Sequence, residues 1–344
     1  MNGLLKFWGG VALTLILITL FVLTVDINRM FDALLKANYW FLLPGISLYI
    51  IAVLFRTLRW QLLLHHIKPI SIWRLYPVVV VGYMANNILP MRLGELVRSY
   101  HISTRESVSK TSALTSIFIE RILDALTLLF FIAVSSILIP LGELAHAFGE
   151  KSGVATWLLI VVFTLPFLIT FALLTICSYS FKSTNSLSSV ITKYFPPKFK
   201  STAIKLMESF IQGIKPLRSP KTLALLFLVS LPVWLFEVGL FVLVGYSFDL
   251  ITIYGNLGNL IIVMMLVTAT ANIGSSIPAA PGGIGLFEIV GRETLVLLPL
   301  AAIDRSIAAG FVTVVHASLL IPMIILGQAF LWKEHLSIRR LVRT

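Results

Sequence analysis

Three groups of ionisable residues lie in stretches so apolar that each charge needs a reason. The densest is Glu120-Arg121-Ile122-Leu123-Asp124. On a helix Glu120 and Asp124, four apart, share a face, and Arg121 reaches Asp124 at a spacing of three. Such a cluster either neutralises itself and pins neighbouring helices, or forms a polar wall that offers Arg121 to an anion. The residues alone leave both open. The second group, Arg92, Glu95 and Arg98, follows Pro90. A helix starting there presents free N–H groups and partial positive charge to a phosphate or carboxylate. The planar Arg92 guanidinium would add two parallel hydrogen bonds. Arg98, six residues on, faces the other way and is expected to extend toward the lipid headgroups. The third group, Glu288, Arg292 and Glu293, follows Pro281-Gly282-Gly283-Ile284-Gly285. Its glycines permit close backbone approach, and Glu288 with Arg292 has the spacing of an ion pair within one helix. Glu237 stands alone in an apolar run, where a carboxylate is protonated, paired across helices or a proton carrier. Glu237 and Glu120 are therefore the candidate proton carriers.

Two polar interruptions hold the second and third groups. They are Asn86-Asn87-Ile88-Leu89-Pro90-Met91-Arg92-Leu93-Gly94-Glu95 and Pro278-Ala279-Ala280-Pro281-Gly282-Gly283-Ile284-Gly285-Leu286-Phe287-Glu288. Broken backbone at membrane depth survives only where protein buries it or where it lines a wet cavity. One such break in each half of a chain is the pattern expected of a transport site near the bilayer midplane.

The elements that must position these breaks are membrane helices. Hydrophobic residues make up 58% of the 344 and charged residues 12%, against roughly 25% charged in a soluble domain; the mean hydropathy is +0.96. The fold class that follows is an all-α polytopic membrane protein. Apolar runs fall at about 7–25, 39–56, 75–90, 111–140, 154–178, 221–247, 259–280 and 305–332, with a further helix near 284–298. The first run is long enough to span and lacks a small-residue cleavage site, so it reads as a retained helix rather than a signal peptide.

Basic residues cluster at 56–74 (Arg56, Arg59, Lys68, Arg74), across 179–220 and in the tail after Trp332. The positive-inside rule puts these and both termini in the cytoplasm. The segment 75–110 must then leave and return on the inner side, and 259–298 on the outer side. About six full spans plus two opposed re-entrant hairpins result, in one membrane domain with halves at about 1–140 and 154–344. The halves also echo each other: Asn87…Pro90-x-x-x-Gly94-Glu95-x-x-Arg98 against Asn272…Pro281-x-x-x-Gly285-x-x-Glu288-x-x-x-Arg292. Similar punctuation in opposite orientation is what an inverted repeat predicts. Residues 201–214 have the composition of a short amphipathic helix for an anionic membrane surface, or of a tether that fixes orientation.

Several functions are disfavoured. The net charge of +12 is accounted for by topology, so no nucleic-acid partner is expected. The single cysteine, Cys177, precludes an internal disulfide and any cysteine-based zinc site. His65, His66, His101, His146, His316 and His335 lack metal-ligand or acid–base spacing. No metal, cofactor, nucleotide motif or catalytic constellation is expected, and movement of a substrate would be downhill or coupled to an ion gradient.

Together, Asn87-x-x-Pro90-x-Arg92-x-Gly94-Glu95-x-x-Arg98, Glu120-Arg121-x-x-Asp124 and Pro281-Gly282-Gly283-x-Gly285-x-x-Glu288 resemble the membrane domain of the lysylphosphatidylglycerol synthase/flippase family, over about residues 5–335. The resemblance implies a protein of a bacterial or archaeal plasma (inner) membrane that moves a phospholipid or lipid-linked headgroup between leaflets. It carries over Arg92, Glu95, Arg98, Glu120, Arg121, Asp124 and Glu288 as the polar path, and Asn87, Pro90, Pro281, Gly282 and Gly283 of the same motifs join them as candidate headgroup-binding residues. Full-length family enzymes append a soluble transferase domain. With the sequence ending at Thr344, that domain is expected to be absent and the chain not to be an enzyme. A separate lipid-modifying synthase and a second copy of the chain are the partners left open. The competing readings are a membrane-embedded transferase for lipid-linked substrates and a transporter of a small soluble anion.

Overall fold

The computed structural model describes residues 2–89, 93–137, 139, 197–276, 281–298 and 300–334, with isolated positions between 158 and 176. Pro90, Arg92, Cys177, the 141–153 connection and the first part of the basic 179–220 segment lie outside the described residues. Regular structure among the described residues is entirely helical. Numbered over them in chain order, the helices are α1 (Asn2–Leu23), α2 (Ile27–Lys36), α3 (Leu42–Leu64), α4 (Ile72–Ile88), α5 (Gly94–Glu106) and α6 (Lys110–Ser135). They continue as α7 (Pro197–Ile214), α8 (Pro220–Ser247), α9 (Leu250–Tyr254), α10 (Leu257–Gly274), α11 (Leu286–Leu297) and α12 (Arg305–Lys333).

Helix starts follow local chemistry. Asp26, Ser219, Asn256 and Asp304 each accept a hydrogen bond from a backbone N–H of the first turn behind them, satisfying donors that the helix leaves unpaired. Ends fall where the backbone turns left-handed, at Ser107 (φ 56°) and Gly255 (φ 78°).

Among the described residues, four segments are long and apolar enough to cross a membrane: Tyr39–Leu64, Pro220–Ser247, Leu257–Gly274 and Arg305–Lys333. A fifth is the pair Thr14–Leu23 and Ile27–Lys36, if its 88° bend is counted within one span. The 26 residues of α6 carry Glu120, Arg121 and Asp124 in their middle, and these charges keep that helix out of the set.

Two expectations about boundaries change. The connection at 26–38 contains α2, whose Ile27, Phe31 and Leu35 are exposed on one face. More consequentially, α3 runs to Leu64 rather than stopping near Arg56. Arg56 and Arg59 therefore belong to the buried face of a helix and not to a cytoplasmic loop, which removes two of the four cations assigned to 56–74. Burial at Tyr49, Ala52, Val53, Arg56, Arg59, Trp60, Leu63 and Leu64 keeps one face of α3 inward past both arginines.

Both polar interruptions are breaks between helices that fold back on one another. Gly82 of α4 faces Arg98 of α5, and Asn86 faces Gly94, so α5 returns along α4. Gly274 of α10 faces Val290 of α11, and the Thr270 and Thr294 hydroxyls are 2.9 Å apart, so α11 returns along α10. A short 3-10 turn, Pro281–Gly283, precedes α11, with Gly282 left-handed at φ 62°. The two hairpin ends meet: a Cβ on Gly282 would lie 3.4 Å from the Asn87 carbonyl oxygen and 3.1 Å from the Leu320 side chain. Around them, α3 packs along α8, and α4 along α12.

Close approach at the first hairpin depends on Gly94, where a Cβ would collide with the Gly82 carbonyl oxygen and stand 2.5 Å from Asn86 Oδ1. Both obstacles lie on α4, so the helices would have to separate. Gly94→Ala is expected to destabilise the protein by about 1–3 kcal/mol, the usual cost of overpacking. Thermal unfolding in detergent reads it, with Gly258→Ala as control, since only the Asn256 side chain is near that position.

Candidate functional site

Four arginines converge between α3, α4, α5, α6 and α8. Arg98 donates to both carboxylate oxygens of Glu120, at 3.2 and 2.9 Å, and its guanidinium lies 3.7 Å over the Trp60 ring. Arg59 sits 2.7 Å from Asp124 and 3.6 Å from Glu120, and donates to Ser230 at 2.8 Å. Arg56 pairs with Glu237 at 2.5 Å and donates to the Tyr83 hydroxyl at 2.9 Å. Arg121 donates through Nη2 to Glu120 and Tyr83, at 3.0 and 3.2 Å, and lies 3.3 Å from Asp124. The Trp234 indole N–H donates to Asp124 at 3.2 Å, and Arg56 stacks over the Trp234 ring at 4.6 Å. Tyr83 thus joins two clusters, Arg56–Glu237 and Arg121–Glu120–Asp124. Buried charge is tolerable only when paired and hydrogen-bonded in this way.

This network lines a cavity of about 380 Å³. Its wall includes Arg56, Tyr83, Arg121, Asp124, Trp234 and Glu237, together with Asn86, Asn87, Asn272, Ser275 and Ser276 from the hairpins. Gly282 and Gly283 of the second hairpin, and His316 of α12, close it. The arginines are not equivalent. The side chains of Arg56, Arg59 and Arg98 are at most 5% exposed, whereas that of Arg121 is 25% exposed. No described residue accepts a hydrogen bond from Arg121 Nη1, so a donor pair on a permanently charged group has no partner among the described residues.

At the second hairpin Glu288 accepts from the Gly285 backbone N–H at 2.7 Å and contacts His316 Nδ1 at 2.5 Å. His316 Nε2 lies 3.0 Å from the Gly282 carbonyl oxygen, and Phe287 stacks on the imidazole with centroids 4.2 Å apart. No group of three or more His, Cys, Asp or Glu side chains suited to a metal ion occurs among the described residues.

The residues picked out by sequence fall as follows. Asn87, Arg121, Asp124, Glu237, Gly282 and Gly283 line the cavity. Glu120 sits behind its wall and Glu288 touches it through His316. Glu95 lines a small adjoining crevice with Arg98 and Arg121, and Pro281 begins the 3-10 turn. Pro90 and Arg92 are outside the described residues. Two expectations need correction. Arg98 does not extend to the headgroups: it is 3% exposed and clamped to Glu120. Glu288 does not pair with Arg292, which instead binds Glu293, the Phe21 carbonyl and Thr24. Of the alternatives for Glu237, the structure shows pairing across helices: it binds Arg56 and accepts from Asn272 at 3.0 Å.

Sequence reasoning missed Arg56, Arg59, Tyr83, Trp234 and His316. Arg56 and Arg59 had a signal, the inward stripe of α3 continuing through them. Tyr83 and His316 had none, because their partners lie far along the chain.

Helices of membrane-spanning length around a buried, arginine-lined cavity define a polytopic integral membrane protein with a polar interior site. The model of the lysylphosphatidylglycerol synthase transmembrane region matches residues 7–327, and the chain belongs to that family. It is 24% identical to a UPF0104 membrane protein of Pyrococcus horikoshii over 320 residues, covering 87% of this chain and 91% of that one. It is 21% identical to the glycosyltransferase AglD of Haloferax volcanii over 328 residues, 90% of this chain but 51% of AglD. It is 26% identical to a UPF0104 membrane protein of Methanocaldococcus jannaschii over 124 residues, 34% of this chain and 37% of that one. No solved structure matches the chain.

Proposed function

We propose that this protein carries a phospholipid or lipid-linked headgroup across the bilayer through the cavity between its two helical hairpins, while the acyl chains stay in lipid. The observation that carries the reading is Arg121, which lines the polar cavity with its side chain 25% exposed and whose Nη1 no described residue accepts from. An anionic headgroup oxygen there would receive a charge-assisted hydrogen bond. Asn86, Asn87, Asn272, Ser275 and Ser276 would supply neutral partners for the rest of the headgroup. Arg92 is assigned to the same path by its place in the first break.

The membrane arrangement goes with this reading. The α4–α5 and α10–α11 hairpins enter from opposite faces as re-entrant elements of an inverted repeat, beside about six full spans. Both termini lie in the cytoplasm of a bacterial or archaeal cell, and α7, with its basic flanks, rests on anionic lipid. Family membership supports a lipid substrate. The glycosyltransferase among the relatives favours one second reading, a membrane-embedded transferase step on a lipid-linked sugar, with this cavity holding the headgroup.

Leaflet exchange of fluorescent headgroup-labelled phospholipids in proteoliposomes tests the proposal, with anionic, zwitterionic, aminoacylated and glycosylated lipids as separate arms. Exchange above protein-free vesicles in at least one arm is expected. Folded protein that gives none, but releases an entrapped soluble anion, would replace the lipid reading with that of an anion transporter.

A further inference from the structure

Three carboxylates around the cavity, Glu120, Asp124 and Glu237, are each paired with arginine. An arginine does not give up its proton, so protonating the acid of such a pair leaves a buried cation without its counter-charge. The contact between Glu288 and His316 differs, because both members titrate. The Gly282 carbonyl can only accept, so His316 Nε2 carries a hydrogen in the 3.0 Å contact between them. Nδ1 stands 2.5 Å from Glu288 Oε1, which requires one further proton between those atoms. Whether that proton rests on nitrogen or oxygen, the pair is neutral overall. If it leaves to water, a neutral imidazole lone pair faces a carboxylate, the pair carries one negative charge, and the contact is repulsive.

We propose that Glu288 and His316 form the proton-binding site of this protein, holding one exchangeable proton that ties the second hairpin's end to α12 and couples proton binding to anion binding in the cavity. The coupling half of this rests on the headgroup reading above; the proton site itself does not. An anion beside Arg121 repels a negative Glu288–His316 pair, so it favours the protonated pair, and the proton favours the anion to the same degree. Proton and anionic headgroup would then move together. This places proton carriage on Glu288 with His316 rather than on Glu237 or Glu120.

Other charged and titratable groups surround the pair. Facing the same cavity are Tyr49 and Arg56 on α3, Tyr83 on α4, Arg121 and Asp124 on α6, and Glu237 on α8. Glu95 of α5 lies in the crevice behind Tyr83. On α11, Arg292 and Glu293 turn to Thr24 and Arg305, and on α2 Arg29 pairs with Asp26 and Asp304. Phe287 covers one imidazole face.

The test has two arms. In nanodiscs, 15N-histidine spectra recorded between about pH 5 and 9 follow each ring, with His316→Gln identifying its signal. His316 is expected to titrate, and Glu288→Gln to remove the hydrogen-bonded Nδ1 signal and shift the midpoint. A His316 signal that is invariant with pH, or unmoved by Glu288→Gln, would overturn the proton site. In proteoliposomes, an acid gradient directed with the lipid is expected to speed exchange of an anionic headgroup severalfold in the wild type, and not at all in His316→Gln or Glu288→Gln. Equal acceleration in all three would overturn the coupling. A wild type without exchange under any gradient would sink the headgroup reading and the coupling with it, while the spectra still decide the proton site.

Discussion

Arg121→Ala is expected to slow headgroup exchange about ten- to hundredfold and to leave the protein folded. A hydrogen bond to a charged group contributes about 1.5–3 kcal/mol, and that range converts to this factor in rate if the contact is made at the top of the barrier. The fold should tolerate the loss because neither acid is abandoned. Glu120 keeps both bonds from Arg98, and Asp124 keeps Arg59 and the Trp234 indole. Arg121→Lys should fall between, since it keeps a positive charge without the planar fork. The assay is the same leaflet exchange, run beside gel filtration and thermal unfolding. Exchange in Arg121→Ala equal to wild type would remove Arg121 from the path.

Glu120→Gln should act on stability. Glu120 is fully buried, accepts from Arg98 and Arg121, and lies 3.6 Å from Arg59. The amide removes the charge that these three guanidinium groups surround and points a donor at donors. Breaking one side of a buried ion pair typically costs about 3–5 kcal/mol, which should appear as a markedly lower unfolding midpoint in detergent. Arg29→Ala is the contrast: its side chain is 69% exposed beside Asp26 and Asp304, and a surface pair contributes about 1 kcal/mol or less. Similar midpoints for Glu120→Gln and Arg29→Ala would mean that the arginine cluster does not hold the helices together.

What the sequence discloses and what it hides divides by range. Glu120, Arg121 and Asp124 are legible because their spacing within one helix puts them together, and Arg121 does lie 3.3 Å from Asp124. The two breaks are legible because proline, glycine and paired asparagines have few other uses between apolar runs. The misreading of Arg56 and Arg59 has a specific cause. A run of hydropathy ends at its first cation, whereas the helix continues for two more turns with both arginines facing inward. The inward stripe, not the mean hydropathy, marks where α3 stops. Pairings between distant segments were beyond reach. Arg98 reads in sequence as a headgroup anchor, whereas in the fold Trp60 and Glu120 surround it. Arg292 has Glu288 at the right spacing on its own helix and yet binds the adjacent Glu293 and the end of α1. His316 shows nothing in sequence, since Glu288 and Gly282 reach it only through the fold.

Obstructing the cavity itself tests the central claim most directly. Ser276 lines it, so Ser276→Cys in a Cys177→Ser background gives a single thiol on its wall. Leaflet exchange is measured before modification, after capping with a bulky methanethiosulfonate, and again after reduction. If the headgroup crosses between the hairpins, exchange stops on capping and returns on reduction, while the Cys177→Ser parent is unaffected. Exchange that continues at its starting rate with the cavity thiol fully capped would contradict this route.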